Sequence, residues 1–198
     1  GDVYKRQHII LWTKVSPTFN RDVTVKWQLS ADKNFKNILN SGYVSAKYSN
    51  DFTIKVDVKI PNRFRGNKVF YRFLFNDTIS DTGITNTLPQ NDPDKYNIAF
   101  CSCSNHPAGY FNAYREMAKN DDIDLVLHLG DYIYEYDKDG YATEDSKRFN
   151  RVVDPKHEIV SLNDYRRRHA QYKSDLDLQA LHKSCLLYTS PSPRDAES

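Results

Sequence analysis

Val23, Val25, Trp27 and Leu29 alternate with Thr24, Lys26 and Gln28, and Phe52, Ile54, Val56, Val58 and Ile60 alternate with threonine, lysine and aspartate. A period of two marks strands that bury one face and wet the other. Residues 8–15, 42–46, 68–75 and 78–87 read as further short strands. Together they make about six or seven antiparallel strands joined by turns, the pattern of a small Ig-like β-sandwich over residues 8–88. Leu88, Pro89, Asn91, Asp92, Pro93 and Asp94 then break any periodicity, so residues 89–95 read as a linker.

After the linker the period changes. Residues 97–103 read as a strand, Tyr110, Phe111, Tyr114, Met117 and Ala118 recur at helical spacing, and residues 123–129 form an apolar run. A strand, a helix and a second buried strand make a βαβ unit with a parallel sheet, the opening of an α/β domain. Residues 136–157 are charged and aperiodic and read as a surface loop. Ser161 and Asp164 have the spacing of a capping box, and Leu162, Tyr165, His169, Tyr172 and Leu176 form a helical stripe ending near Leu178. The fold class expected is therefore multidomain, a β-sandwich followed by the incomplete start of an α/β domain over residues 96–183.

Both chain ends carry a second message. Residues 1–7 and residues 185–190 can be encoded by DNA strings that are essentially reverse complements of each other, as in a transposon-type sequencing adapter read at both ends of a fragment. Pro191 to Asp195 continues the same pattern. Residues 1–7 and 184–198 are therefore expected to be adapter-derived scar, set apart from fold reasoning, and the natural sequence to be a piece of a longer gene.

With 198 residues, 39% hydrophobic and 13% aromatic, the chain can bury one or two small cores, and it has no apolar run long enough to span a bilayer. The net charge of +2 gives no sign of a nucleic-acid surface. Of the three cysteines, Cys185 falls in the expected scar, and Cys101 and Cys103 are too close along one strand for an ordinary disulfide. No protein partner is implied.

Candidate chemistry gathers where the two buried strands run out into loops, the place where open α/β sheets build their sites. Cys103 ends the first strand, and Asp131 follows Gly130 at the end of the second, where a carboxylate can bridge two cations. Tyr134 lies three residues on, so one turn of chain returns its phenol to the side of Asp131. Taken singly each reads as ordinary structure: a turn, a half-buried aromatic, a small core thiol. Thiolate, carboxylate and phenolate converging on one point would hold a hard, highly charged metal ion.

Phe100-Cys-Ser-Cys-Ser-Asn105, Gly109-Tyr-Phe-Asn-Ala-Tyr-Arg115, Leu127-His-Leu-Gly-Asp-Tyr-Ile-Tyr-Glu135 and His157-Glu-Ile-Val-Ser-Leu-Asn-Asp-Tyr-Arg-Arg-Arg168 closely resemble the alkaline phosphatase D, or PhoD-like metallophosphatase, family. Ile10-Leu-Trp-Thr13 and the sandwich before Leu88 resemble that family's N-terminal domain. The resemblance implies a secreted, periplasmic or cell-surface phosphoric ester hydrolase, acting on a phosphate monoester or diester, in which metal-bound oxygen attacks phosphorus. It implies ferric iron, Fe(3+), and calcium, Ca(2+), with Cys103, Asp131 and Tyr134 as iron ligands and Asp131 also reaching calcium. Anionic sulfur and phenolate donors suit the ferric ion, and oxygen donors suit calcium. The family completes its site with Asp, Asn and His residues beyond an Asp-Asp-His-Glu-like segment. This chain reaches the expected scar before any of that, so the fragment is expected to be inactive.

Other residues border the site. Asn105 and His106 could meet substrate phosphate or be ordinary loop polars, and His128 could support a ligand or be a core histidine bonded to a backbone carbonyl. Cys101 reads as packing and is left out of the site. Arg166, Arg167 and Arg168 read as the solvated face of the helix rather than a phosphate clamp, while Tyr132 and Glu135 flank the ligands and support the loop. Two other classes compete: a different two-metal phosphoesterase, which would not need Cys103 or Tyr134, and a secreted binding or adhesion module built on the sandwich. The latter is disfavoured by the lack of an exposed aromatic stripe or basic patch.

Overall fold

The computed structural model describes residues 8–89, 91, 94–184 and 186–189. Residues 1–7, Cys185 and residues 190–198, all within the expected scar, lie outside the described residues, as do Gln90, Asp92 and Pro93 of the linker. The chain divides into two compact units between Lys95 and Tyr96. It is mostly β with few helices, and its sheets are open.

In the first unit β1 (His8–Lys14) pairs antiparallel with β4 (Thr53–Lys59), placing Ile9 opposite Val58 and Leu11 opposite Val56. A second sheet runs β3 (Ile38–Ala46), β2 (Val23–Ser30), β5 (Lys68–Phe75) and β6 (Thr78–Ile79), with β7 (Gly83–Asn86) also paired to β5. The inward positions of both sheets meet in one core: Ile9, Leu11, Val25, Trp27, Leu29, Ile54, Val56, Val58, Val69 and Phe73. The residues that alternate with lysine and aspartate in the sequence are those buried here, because burying one face of a pleated strand is what the alternation encodes.

Two details depart from the sequence-based expectation. The strand expected over residues 42–46 starts at Ile38, since Asp32 closes the preceding turn by accepting N–H groups from Asn34 at 2.9 Å and Asn37 at 2.7 Å. Residues 78–87 form two short strands instead of one. Gly83 sits opposite Tyr71, and a Cβ there would lie 2.1 Å from the Tyr71 ring. The glycine lets the ring of its cross-strand neighbour lie flat over it.

The second unit has a three-stranded parallel sheet in the order β10 (Leu186–Thr189), β9 (Leu125–His128), β8 (Ile98–Cys101). Helix α1 (Asn112–Lys119) carries the chain from β8 to β9, the βαβ crossover that the change of period predicts. β10 pairs with β9 in a segment expected to be scar. Phe111, Tyr114, Val126, Tyr172, Leu178 and Leu181 form the core, with Ala99, Cys101 and Met117 packed against it.

The C-terminal helix breaks earlier than the expected end near Leu178. α2 (Leu162–Lys173) stops at Ser174 and α3 (Leu176–Ser184) begins two residues later. Asp175 causes the break: its carboxylate accepts the N–H groups of Asp177 at 2.9 Å and Leu178 at 3.0 Å, capping a new helix. The Ser161–Asp164 capping box of α2 is present as expected.

The inward face of α2 differs from the expected stripe. Leu162 and Leu176 are exposed, and the residues turned inward on α2 are Asp164, Arg168 and Tyr172. Arg168, expected on the solvated face, is 1% exposed. Its guanidinium donates to the carbonyls of Asp154 at 3.1 Å, Tyr136 at 3.2 Å, Pro155 at 3.0 Å and also Tyr134. Arg166 and Arg167 retain more solvent contact.

Residues 136–157 are aperiodic, as expected, but their backbone is tied down. Lys138 N–H donates to Lys156 O at 3.0 Å and Ile159 N–H to Glu135 O at 3.0 Å. Gln171 Nε2 donates to Val152 O at 2.7 Å. Arg151 is buried, donates to His106 O at 2.7 Å, and pairs with Asp175 at 2.6 Å.

Candidate functional site

β8 and β9 are parallel neighbours, so their C-terminal ends emerge side by side and bring together residues far apart in sequence. Two backbone bonds join the loops beyond them: Cys103 N–H donates to Gly130 O at 3.2 Å, and Ser104 N–H to Asp131 O at 2.9 Å. This ladder places Cys103 Sγ 3.8 Å from Asp131 Oδ2. Tyr134 Oη donates to the same oxygen at 3.2 Å. The structure thus brings the thiol, carboxylate and phenol singled out in the sequence to one point, around Asp131 Oδ2.

Cys103 does not end its strand as expected: β8 stops at Cys101 and β9 at His128, and Cys103 and Asp131, in the loops just beyond, have unusual backbones. Cys103 has φ 60° and Asp131 φ 52°, in the left-handed region that side chains other than glycine seldom adopt. Such a conformation costs about 1–3 kcal/mol per residue and persists only where surrounding structure enforces it. Here the two cross-loop bonds do so, and each turn aims its side chain at the other.

The cluster is open on one side. Cys103 is exposed and Asp131 and Tyr134 are half-buried. Burial, followed by the hydrogen bond with Cys103 and the charge of Asp131, raises the Tyr134 phenol above its ordinary value. Among the described residues no three His, Cys, Asp or Glu side chains form a metal-sized group, and beside Cys103 and Asp131 the further donor at this point is the Tyr134 phenol. The Tyr134 ring stacks on Tyr136, with centroids 6.0 Å apart, and Tyr141 adjoins both.

The bordering residues separate into two groups. Asn105 stays at the rim, where its Nδ2 donates to Tyr141 O at 3.2 Å. His106 turns away: it is buried, its ring lies 5.3 Å from that of Tyr172 and 6.1 Å from that of Phe111, and burial lowers it to about 4. Cys101 is half-buried against the core and points its Sγ at Leu127 O, 3.9 Å away. Glu135 accepts from Tyr165 Oη at 3.3 Å. Tyr132 Oη lies 2.9 Å from His182 Nε2 and accepts from Lys173 Nζ at 2.8 Å.

His128 bonds one backbone amide and two hydroxyls. It is 1% exposed, and burial holds it below the usual imidazole range. Gly130 N–H donates to its Nδ1 at 3.4 Å, while Nε2 lies 2.8 Å from Ser104 Oγ and 3.0 Å from Tyr114 Oη. Ser104 and Tyr114 also bond each other. Neither Ser104 nor Tyr114 stands out in the sequence as a site residue. The signal that could have found them is Tyr114 on the apolar stripe of α1, since a buried tyrosine hydroxyl needs a polar partner.

A family model described as PhoD-like phosphatase matches residues 98–190, and one described as PhoD-like phosphatase, N-terminal domain, matches residues 1–89. The chain is similar to alkaline phosphatase D of Bacillus subtilis (strain 168), 40% identical over 185 residues that make up 88% of this chain and 30% of that protein. It is also similar to the solved structure of PhoD, with a TM-score of 0.82 and 34% identity over 94% of this chain and 36% of that one. The chain therefore spans about a third of the length of these relatives.

Proposed function

Since this chain belongs to the PhoD-like phosphatase family, we propose that the protein it spans in part is a phosphoric ester hydrolase, an alkaline phosphatase or phosphodiesterase, working at the open side of the Cys103–Asp131–Tyr134 cluster. The observation that carries this reading is the convergence of two chemically different donors, the Cys103 thiol and the Tyr134 phenol, on Asp131 Oδ2 in the loops beyond two parallel strands. Membership also supports the finer fold reading: an Ig-like antiparallel sandwich at residues 8–88, and the opening of an α/β metallophosphatase domain at residues 96–183. It supports a location outside the cytoplasm, secreted, periplasmic or at the cell surface, and among the described residues no helix is long and apolar enough to cross a membrane.

The donor set fits ferric iron with calcium. Thiolate and phenolate favour a trivalent ion over a divalent one, and a carboxylate has a second oxygen with which to serve calcium. Cys103, Asp131 and Tyr134 would hold the iron, and Asp131 would reach calcium as well. When bound, these cations supply positive charge that ionises the thiol and phenol and neutralises the phosphate oxygens.

The chain's own residues orient and position. Asp131 fixes the Tyr134 phenol through its hydrogen bond, and the left-handed turns aim Cys103 and Asp131 at a common point. Asn105, at the rim, is the residue available to donate to a substrate phosphate oxygen. His106 is buried against Tyr172 and Phe111, so its part in this reading is weaker than that of Asn105.

The 198-residue chain, which spans about a third of the length of its relatives, is expected to hydrolyse p-nitrophenyl phosphate at no measurable rate. Turnover by the purified chain that disappears in Asp131→Ala would overturn that expectation. In the full-length protein expressed from the source gene, a visible charge-transfer absorption is expected and should be lost in Tyr134→Phe. An active, colourless protein would replace the iron reading with another two-metal phosphoesterase.

A further inference from the structure

We infer that His128 is a positioning residue that bolts the Cys103 strand end to the Asp131 strand end, using one ring nitrogen for each. The inference rests on reading Cys103, Asp131 and Tyr134 as a ligand cluster, but the bolt itself is geometry within this chain.

Gly130 N–H donates to Nδ1, so that nitrogen carries no proton and Nε2 does. Nε2–H is then directed at Ser104 Oγ, 2.8 Å away, with Tyr114 Oη at 3.0 Å. Gly130 immediately precedes Asp131 and Ser104 immediately follows Cys103. One imidazole therefore touches both residues that border the cluster, from behind. Tyr114, on α1, bonds the same Ser104 hydroxyl and fixes it against the crossover helix.

The need for such a bolt follows from the backbone. Cys103 and Asp131 both hold left-handed conformations, which relax unless something opposes them. Each of the two cross-loop bonds, Cys103 N–H to Gly130 O and Ser104 N–H to Asp131 O, involves one residue that His128 touches, Gly130 as acceptor in the first and Ser104 as donor in the second. A histidine present only to fill space would leave these amides indifferent to its replacement by leucine. His128 is also no ligand in its own right, because both ring nitrogens already have partners and the side chain is 1% exposed.

Amide hydrogen exchange, followed by NMR on the full 198-residue chain, tests this without any metal. His128→Leu removes both arms. His128→Gln can place an amide N–H near the Nε2 position and keep the Ser104 arm. In His128→Leu the Cys103 and Ser104 amides should exchange roughly tenfold faster relative to amides of β9 and α1, the factor expected when about 1.4 kcal/mol of local hydrogen bonding is lost. In His128→Gln the Ser104 amide should stay within about threefold of the parent chain. Alkylation of the exposed Cys103 thiol should accelerate in His128→Leu and recover in His128→Gln.

Unchanged exchange at both amides in His128→Leu would overturn the inference, as would identical behaviour of the Leu and Gln variants. Should His128→Leu unfold the second unit, Ser104→Ala decides instead: it removes only the hydroxyl, and faster exchange at Cys103 and Ser104 is expected, with no change overturning the bolt. These readouts need no bound metal. Loss of the iron reading in full-length protein would therefore leave them standing, and their failure would leave the iron reading untouched.

Discussion

Arg168 and Arg167 are neighbours on α2 with the same charge and opposite surroundings, so replacing each in turn isolates what burial adds. Arg168 donates to four backbone carbonyls, those of Tyr134, Tyr136, Asp154 and Pro155, and is 1% exposed. Arg167 is exposed and pairs with the Asp154 carboxylate. In Arg168→Met the stem is kept and the guanidinium removed, leaving those carbonyls without a donor. If water reaches half of them and the rest stay dry at about 1–3 kcal/mol each, the loss is ~2–6 kcal/mol. That is a large fraction of the ~5–15 kcal/mol by which a domain is stable. Arg167→Met removes an exposed pair and should cost no more than ~1 kcal/mol. The assay is urea unfolding with two signals. Both tryptophans, Trp12 and Trp27, lie in the first unit, and among the described residues the three α-helices lie in the second. Circular dichroism at a helix wavelength therefore follows the second unit, and tryptophan fluorescence follows the first. Arg168→Met should move the helix transition to lower urea and leave the tryptophan transition in place. Equal shifts for the two variants, or a loss under ~1 kcal/mol for Arg168→Met, would refute the argument that this guanidinium holds the loop carrying Tyr134.

Two further outcomes are expected from the same pair of signals. Gly83→Ala places a methyl 2.1 Å from the Tyr71 ring and should cost ~1–3 kcal/mol in the tryptophan transition, much of it recovered when combined with Tyr71→Leu. Burial lowers Lys173 from 10.5 to about 8, so between those two pH values the unfolded chain binds more protons than the folded one. The cost of burying the ammonium is then fully present below about pH 8 and is relieved as pH rises, by up to ~3 kcal/mol across the whole window. The helix-monitored urea midpoint should therefore rise from pH 7.5 to 9.5, and Lys173→Met should flatten that rise. Above pH 10 the raised phenols of Tyr132 and Tyr172 work in the opposite direction, which sets the upper limit of the measurement.

Much of the framework was legible because half-buried strands advertise themselves. The alternations at 23–29 and 52–60 became β2 and β4, and the βαβ spacing after residue 96 became β8, α1 and β9. Cys103, Asp131 and Tyr134 were legible for a topological reason: parallel strands must release their chains at the same edge, so two strand ends and one turn suffice to bring three side chains together. What stayed hidden was polar and inward. Arg168 stood in a run of arginines, and a charge run ordinarily marks the wet face. The sign that it pointed inward was its i+4 spacing from Asp164 and its i–4 spacing from Tyr172, both buried. Ser104 carries no periodic signal, Tyr114 reads only as part of the apolar stripe of α1, and the two matter because both hydroxyls meet His128. The break at Asp175 was hidden because an aspartate inside a helical pattern looks tolerable until its carboxylate is seen capping the next helix.

The segment between β9 and α2 has the outward signs of a place that tolerates change: charged, aperiodic, and long. Its fastenings argue otherwise. Lys138 and Ile159 close backbone bonds at its two ends, Gln171 and Arg168 hold its return, and Arg151 pins its middle to both the loop beyond β8 and the start of α3. Each fastening fixes the length of chain between itself and the next. An inserted residue would have to bulge between two anchors, or pull one of them loose and with it the carbonyl of Tyr134. For protein engineering, this makes the stretch a ruler rather than a tether, and grafts or tags belong in the exposed turn between β1 and β2 instead.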